Sequence, residues 1–141
     1  MSGADARPFS VELRVRYGET DQMGVVYHAH YLSWCDVART EYIRALGTSY
    51  AELERQGLLL AVTEVNVRYH ASARYDDDIR IEVWPETVQS RAVAFRYRVL
   101  RAPDGQRLAT VSTRLTAINR DGAPRRLPRE LLQHLRAAVR V

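Results

Sequence analysis

The stretch Tyr17-Gly-Glu-Thr-Asp-Gln-Met-Gly-Val-Val-Tyr-His-Ala-His-Tyr31 decides how the rest of this chain is read. It sets one carboxylate, Asp21, in a tight turn, with Gly24 three residues on and an aromatic-rich run behind it that enters a helix. A helix start offers unpaired backbone N–H groups and the positive end of the peptide dipole. A carboxylate beside such donors suits the polarisation and attack of a carbonyl, so acyl transfer or acyl hydrolysis is the expected chemistry.

On the N-terminal side, Val11, Leu13, Val15 and Tyr17 alternate with Glu12, Arg14 and Arg16, which predicts a half-buried strand over residues 9–17. On the other side a helix is expected from residue 28 or 31 to 46. Leu32, Cys35, Ala38, Tyr42, Ile43, Ala45 and Leu46 share one broad face, with Trp34 at its edge and Val37 apolar on the far side. Such a helix is wrapped by other elements. Gly47 stops it. Thr48 or Ser49 then caps a short helix over residues 50–56, with Glu52 near the capping-box position.

From Leu58 onward the pattern has period two. Thr63, Val65, Val67 and Tyr69 oppose Glu64, Asn66, Arg68 and His70; Ile79, Ile81 and Val83 oppose Arg80, Glu82 and Trp84. Val93, Phe95, Tyr97 and Val99 oppose Arg96 and Arg98, and Ala109, Val111, Leu115 and Ala117 oppose Thr110, Ser112, Arg114 and Thr116. Pro103-Asp104-Gly105 marks a hairpin between the last two strands and Asp121-Gly122 a further turn. A C-terminal helix over residues 129–139 carries Leu131, Leu132 and Leu135. Strands that follow one another through short turns are expected to pair antiparallel. The class is α+β: an antiparallel sheet with one long helix packed on it. A chain of 141 residues suits a single domain, residues 9–141, behind a loose lead-in over residues 1–8.

Composition fits a soluble globular protein, 46% hydrophobic and 27% charged. No apolar run approaches a membrane span or a signal peptide, so a cytoplasmic location and no membrane partner are expected. The one cysteine, Cys35, excludes an intrachain disulfide and reads as a small buried core residue. The net charge of +4 rests on arginine alone, because the chain has no lysine. Arg14, Arg16, Arg80, Arg96, Arg98 and Arg114 alternate outward and make a basic face. No RNA-binding aromatic signature accompanies them, so a solvated or subunit-contact face is expected rather than nucleic-acid binding.

With its preceding strand and the Ala38-Arg39-Thr40-Glu41 of the following helix, the opening stretch resembles the hotdog-fold acyl-CoA thioesterases of the 4-hydroxybenzoyl-CoA thioesterase branch. Val67-Arg68-Tyr69-His70-Ala71-Ser72-Ala73-Arg74-Tyr75-Asp76-Asp77 is similar to that family's second marker, with Ser72 where a proline is typical. The resemblance covers roughly residues 10–130. It implies an antiparallel sheet wrapped around the long helix, and subunits that join sheets edge to edge as a homodimer or homotetramer with the active site at their interface. It also implies that Asp21 is the general base or nucleophile on the thioester, and that the backbone N–H at His28 helps bind the carbonyl oxygen. The His28 side chain assists in some members. The implied substrate is an acyl-CoA with a short-chain or aromatic acyl group, with no cofactor beyond the coenzyme A of the substrate.

Each site residue carries a plainer reading beside the functional one. An aspartate in a turn can simply cap backbone, but Asp21 has no cation in its own loop and sits among Met23, Val25 and Val26. Gly24 allows the turn or the approach of an acyl group. Val25, Val26, Tyr27 and His28 are expected to supply oxyanion-binding amides. Tyr17 either orients Asp21 or buries its ring. His28 and His30 form a His-x-His pair, too few ligands for a metal site, and His30 reads as a surface or interface residue. Arg39 falls inside the apolar arc of the long helix and calls for a paired acid, which Asp36 supplies from three residues away; an acyl or interface contact is the other reading. Glu41 is a reserve carboxylate. Arg68, His70 and Arg74 are assigned by the resemblance to the coenzyme A phosphates. Two rival classes stand beside hydrolysis. An acyl-thioester hydratase or dehydratase of the same fold uses a histidine followed by a Pro-Gly turn, a dipeptide this chain lacks. A non-catalytic module would bind acyl carriers or nucleic acid through the arginine face.

Overall fold

The computed structural model describes residues 8–139, so the lead-in, apart from Pro8, lies outside the described residues. The elements run β1 (Phe9–Arg14), a single 3-10 turn (Tyr17–Glu19), α1 (His30–Ala45), α2 (Tyr50–Arg55), β2 (Leu59–Tyr69), β3 (Asp78–Val88), β4 (Ala92–Arg101), β5 (Arg107–Ile118) and α3 (Arg129–Ala137). The five strands form one sheet in the order β1-β3-β4-β5-β2, each neighbouring pair antiparallel.

Two expectations change. β1 ends at Arg14, three residues earlier than alternation suggests, because the chain curls into the 3-10 turn and takes Tyr17 off the sheet. Consecutive strands do pair from β3 through β5, but β2 and β3 do not. β2 pairs with β5 at one edge, while β3 lies beside β1 near the other. The eight-residue link between β2 and β3 therefore carries the chain from one side of the sheet to the other. On its way it docks against the Asp21 loop. Val15 N–H donates to Asp77 O (2.9 Å), Asp76 N–H to Val15 O (3.2 Å), and Val26 N–H to Ala73 O (2.9 Å).

The sheet wraps α1 as the breadth of the helix's apolar arc demands. Tyr31, Trp34, Cys35, Ala38, Arg39, Tyr42 and Ile43 are all buried. They meet inward residues of the strands such as Ile79, Ile81, Val83, Phe95 and Tyr97. Each fully buried large apolar side chain stabilises the fold by roughly 1.5–3 kcal/mol. Ala45 is exposed, so the arc is narrower at the C-terminal end than the sequence implies; Val37, on the far side, is half-exposed. α2 begins as expected: the Ser49 hydroxyl accepts the Glu52 N–H at 3.1 Å. Cys35 is fully enclosed, and burial pushes its thiol well above the usual range, so it is an inert core residue. No helix is long and apolar enough to cross a membrane.

The outward arginines are mostly committed. Arg14 pairs with Asp78 and Asp76, Arg80 with Glu12, Arg96 with Glu86 and Arg98 with Glu82. Arg114 donates to Gln89. The basic face is thus largely a cross-strand ion-pair lattice.

Candidate active site

The Asp21 loop is a narrow turn closed by its own backbone. Asp21 N–H donates to Val25 O (2.8 Å) and Gly24 N–H to Asp21 O (3.1 Å). Gly24 sits at φ +80°, which a side chain would strain, so glycine here is a backbone requirement. Asp21 Oδ1 accepts the N–H of Met23 at 2.8 Å and, more loosely, that of Val25 at 3.4 Å. Its Oδ2 takes no donor among the described residues. One oxygen anchors the side chain and the other is available for chemistry.

The amides that follow are unequal, and this corrects the sequence reading. Val25 N–H is turned to Asp21, Val26 N–H is spent on Ala73 O, and Tyr27 N–H on Glu19 O (2.9 Å). Of the amides from Val25 to Ala29, only His28 N–H and Ala29 N–H have no acceptor among the described residues. They lie just ahead of α1, whose Ala29 N-cap offers no side-chain oxygen to the helix start. Two adjacent uncommitted donors at the positive end of a sixteen-residue helix are an anion seat. Val25, Val26 and Tyr27 therefore shape the loop rather than donate to a ligand.

Aromatic rings surround this seat. The Tyr27 and His28 rings lie 4.4 Å apart, and Tyr69 at the end of β2 meets the His28 ring edge-on at 6.3 Å. The Tyr69 hydroxyl donates to His28 O at 2.9 Å, which fixes the peptide group that carries the uncommitted Ala29 N–H. Tyr31, buried beneath, accepts Ala73 N–H at 2.9 Å; burial raises its phenol above the ordinary range. Tyr69 was legible only as an inward strand residue, since nothing local ties it to His28. Tyr17 is 76% exposed and meets Tyr75 edge-on at 5.6 Å. It is neither buried in the core nor bonded to Asp21, which corrects both readings of it.

The three residues assigned to phosphates do not converge. Arg74 bridges Val25 and so stands beside the Asp21 loop, its side chain exposed and without an acid partner among the described residues. Arg68 opens onto the outer face of the sheet, where it lines a groove of about 380 Å³ with His70, Arg96 and Arg107. There His70 Nε2 lies 2.9 Å from Thr110 Oγ1. Strand alternation is the reason: Tyr69 faces inward, so its neighbours Arg68 and His70 face out.

The loop, the helix start and this sheet have counterparts in known proteins. Residues 15–136 match the thioesterase-like superfamily. The chain belongs to that superfamily. Relatives include the putative acyl-CoA thioesterase YneP of Bacillus subtilis, 39% identical over 62% of this chain and 64% of that protein. The match thus spans a little under two thirds of YneP's length. The acyl-CoA thioesterase YbgC of Haemophilus influenzae is 39% identical over 66% of this chain and 69% of its own. Among solved structures, a DHNA-CoA thioesterase from Staphylococcus aureus superposes with a TM-score of 0.84 at 36% identity, covering 91% of this chain and 90% of the other. Its fold is the hotdog arrangement of sheet around helix.

Two remaining polar residues on the central helix of this superfamily member have structural partners. Glu41 pairs with Arg44 at 3.7 Å. Arg39, 7% exposed, donates to Asp36 Oδ1 (3.0 Å), to the Tyr50 hydroxyl (2.8 Å) and to the Tyr97 hydroxyl (3.1 Å). The Asp36 pair expected from the sequence is present. The two tyrosines, which come from α2 and β4, were not foreseen.

Proposed function

We propose that this thioesterase cleaves the acyl–sulfur bond of an acyl-CoA carrying a short-chain or aromatic acyl group, using Asp21 as base or nucleophile. One observation carries the reading: a carboxylate with one oxygen anchored and one free sits on the loop that delivers two uncommitted amides at the start of α1. With Asp21 as base, Oδ2 takes a proton from water as the water oxygen adds to the thioester carbon. The carbonyl oxygen, now an anion, is held by His28 N–H and Ala29 N–H. Collapse breaks the C–S bond, and the proton passes to the departing thiolate. The reaction so written needs no cofactor, since coenzyme A is part of the substrate. Arg74 stands where it can meet an anionic group near the loop, and Arg68 with His70 offers a second cationic surface for the nucleotide end. The exposed rings of Tyr27, Tyr69, Tyr17 and Tyr75 suit an apolar acyl group. The expected compartment is the cytoplasm.

The test is thiol release from a panel of aromatic and aliphatic CoA esters. Equal amounts of acid and free CoA are expected from at least one class. Hydration of crotonyl-CoA without thiol release, or no cleavage of any ester, overturns the reading.

The same reading includes a second copy of the chain. β2 is the last strand of the sheet, so one side of an eleven-residue strand has no ladder partner among the described residues, and Val62, Val65 and Tyr69 on it are exposed. An open, partly apolar edge is a pairing template, and a twofold contact of β2 with β2 closes it. Light scattering is expected to give at least twice the mass of one chain, falling towards one chain in Val62→Lys/Val65→Lys. A monomer at micromolar concentration in the wild type removes this part of the proposal.

A further inference from the structure

We infer that Glu19 is a positioning residue for the reaction: its buried carboxylate ties the entry of the Asp21 loop to the central helix, while its backbone carbonyl holds the exit of the same loop. The inference rests on the assignment of Asp21 above. Glu19 is 6% exposed, an unusual position for a carboxylate, and it lies two residues before Asp21. Its two oxygens have separate tasks. Oε1 accepts the Arg16 N–H at 2.8 Å, at the entry to the loop. Oε2 accepts the indole Nε1–H of Trp34 at 2.9 Å, from the second turn of α1. The backbone carbonyl of the same residue accepts Tyr27 N–H, at the exit of the loop. One residue thus holds the entry, the exit and the helix against which the exit is measured.

Its charge state agrees with that geometry. Burial pushes the Glu19 carboxyl up, but the Arg16 N–H, the Trp34 N–H and the nearby charges of Arg16 and His30 outweigh it and hold the group below the usual carboxylate value. It is an ionised acceptor, suited to two donors at once. The Arg16 guanidinium, 3.6 Å away and mostly exposed, closes the outer side. The consequence for chemistry is geometric. The loop return at Tyr27 immediately precedes the uncommitted His28 and Ala29 amides. Their placement relative to Asp21 is therefore set by how residues 19 and 27 are held together and against α1. Displacement of such groups by about 1 Å costs roughly a hundredfold in rate.

The experiment uses Glu19→Gln, Trp34→Phe and the double variant in the full chain, with Asp21→Asn beside them. A carboxamide has the shape of the carboxylate but one acceptor and one donor end. Against two N–H donors it loses one anchor whichever way it turns. The expected result for Glu19→Gln is a fall in kcat of about tenfold to a hundredfold with KM within about twofold, because the substrate's remote contacts are untouched. Adding Trp34→Phe removes the donor that the carboxamide NH₂ opposes, so the double variant is expected to turn over faster than Glu19→Gln alone. A merely structural role moves stability and gives no such rescue. Should Glu19→Gln fail to fold, Trp34→Phe alone still reads the same property, as a lower kcat at unchanged KM in a folded protein. Wild-type kcat in a folded Glu19→Gln, or a double variant no faster than the single, overturns the inference while leaving Asp21 in place if Asp21→Asn is inactive. Wild-type turnover in Asp21→Asn overturns both.

Discussion

Asp21→Asn is expected to lower kcat for acyl-CoA hydrolysis by about a thousandfold, the scale of a lost positioned base or nucleophile, while leaving fold and oligomeric state intact. The asparagine Oδ1 can accept the same Met23 and Val25 N–H groups that hold Asp21 Oδ1, so the turn keeps its anchor. What disappears is the second oxygen, which takes no donor among the described residues, and its negative charge. KM is expected to change little, because the uncommitted amides and the aromatic rim remain. Thiol release under saturating ester reads kcat, and circular dichroism with light scattering checks the fold. Turnover at the wild-type rate in a folded variant removes Asp21 from the mechanism. A single turnover in ¹⁸O-labelled water then tests for the nucleophilic role: label in the Asp21 carboxylate marks an anhydride opened at the aspartyl carbon, which general-base hydrolysis cannot produce.

The second large effect concerns stability. Arg39→Met is expected to lower stability by about 2–3 kcal/mol, since hydrogen bonds to a charged group contribute on that scale and their loss orphans buried acceptors. The guanidinium ties α1 to α2 through Tyr50 and to β4 through Tyr97. Tyr97 also lies 2.8 Å from Thr113 Oγ1, and burial pushes its phenol up to about 12, so it remains protonated. Arg39 donates to the Tyr97 oxygen, and Tyr97 and Thr113 share a further hydrogen bond, so the network is continuous from α1 to β5. Methionine fills much of the volume and leaves the Tyr50 and Tyr97 oxygens without their donor. The cost stays below that of a fully buried ion pair because Asp36 is 62% exposed in its side chain and regains water when Arg39 is removed. The measurement is thermal or denaturant unfolding at matched protein concentration. Tyr97→Phe in the same background tests the coupling: the double variant is expected to be less destabilised than the sum of the two single changes. An Arg39→Met variant as stable as wild type shows that the core closes over the gap and the network contributes nothing.

Much of the site was legible from local sequence, and particular residues show why. Asp21 and Gly24 were readable because a carboxylate-capped turn with a left-handed residue is local chemistry. Ser49 was readable because a cap lies three residues from the donor it serves. Arg39 and Asp36 were readable as a pair because they are one helical turn apart. Glu19 was missed, although a buried acid was present in the opening stretch, because its value depends on Trp34, fifteen residues away on another element. The same holds for Tyr69, which reaches His28 across forty-one residues. The division of labour among the amides of residues 25–29 was also hidden, since Val26 N–H and Tyr27 N–H find their acceptors at Ala73 and Glu19.

The sequence by itself determined the elements and the chemistry they carry. Period two and period 3.6 report which side of the backbone is apolar, and turn residues report local φ and ψ, all within a few positions. Tertiary structure alone decided that β2 leaves its neighbour β3 for the far edge, that Arg68 and His70 part from Arg74, and that two amides rather than four stay open. Each of those outcomes depends on which distant carbonyl or carboxylate takes a given N–H, and a hydrogen bond has no sequence range until the chain has folded.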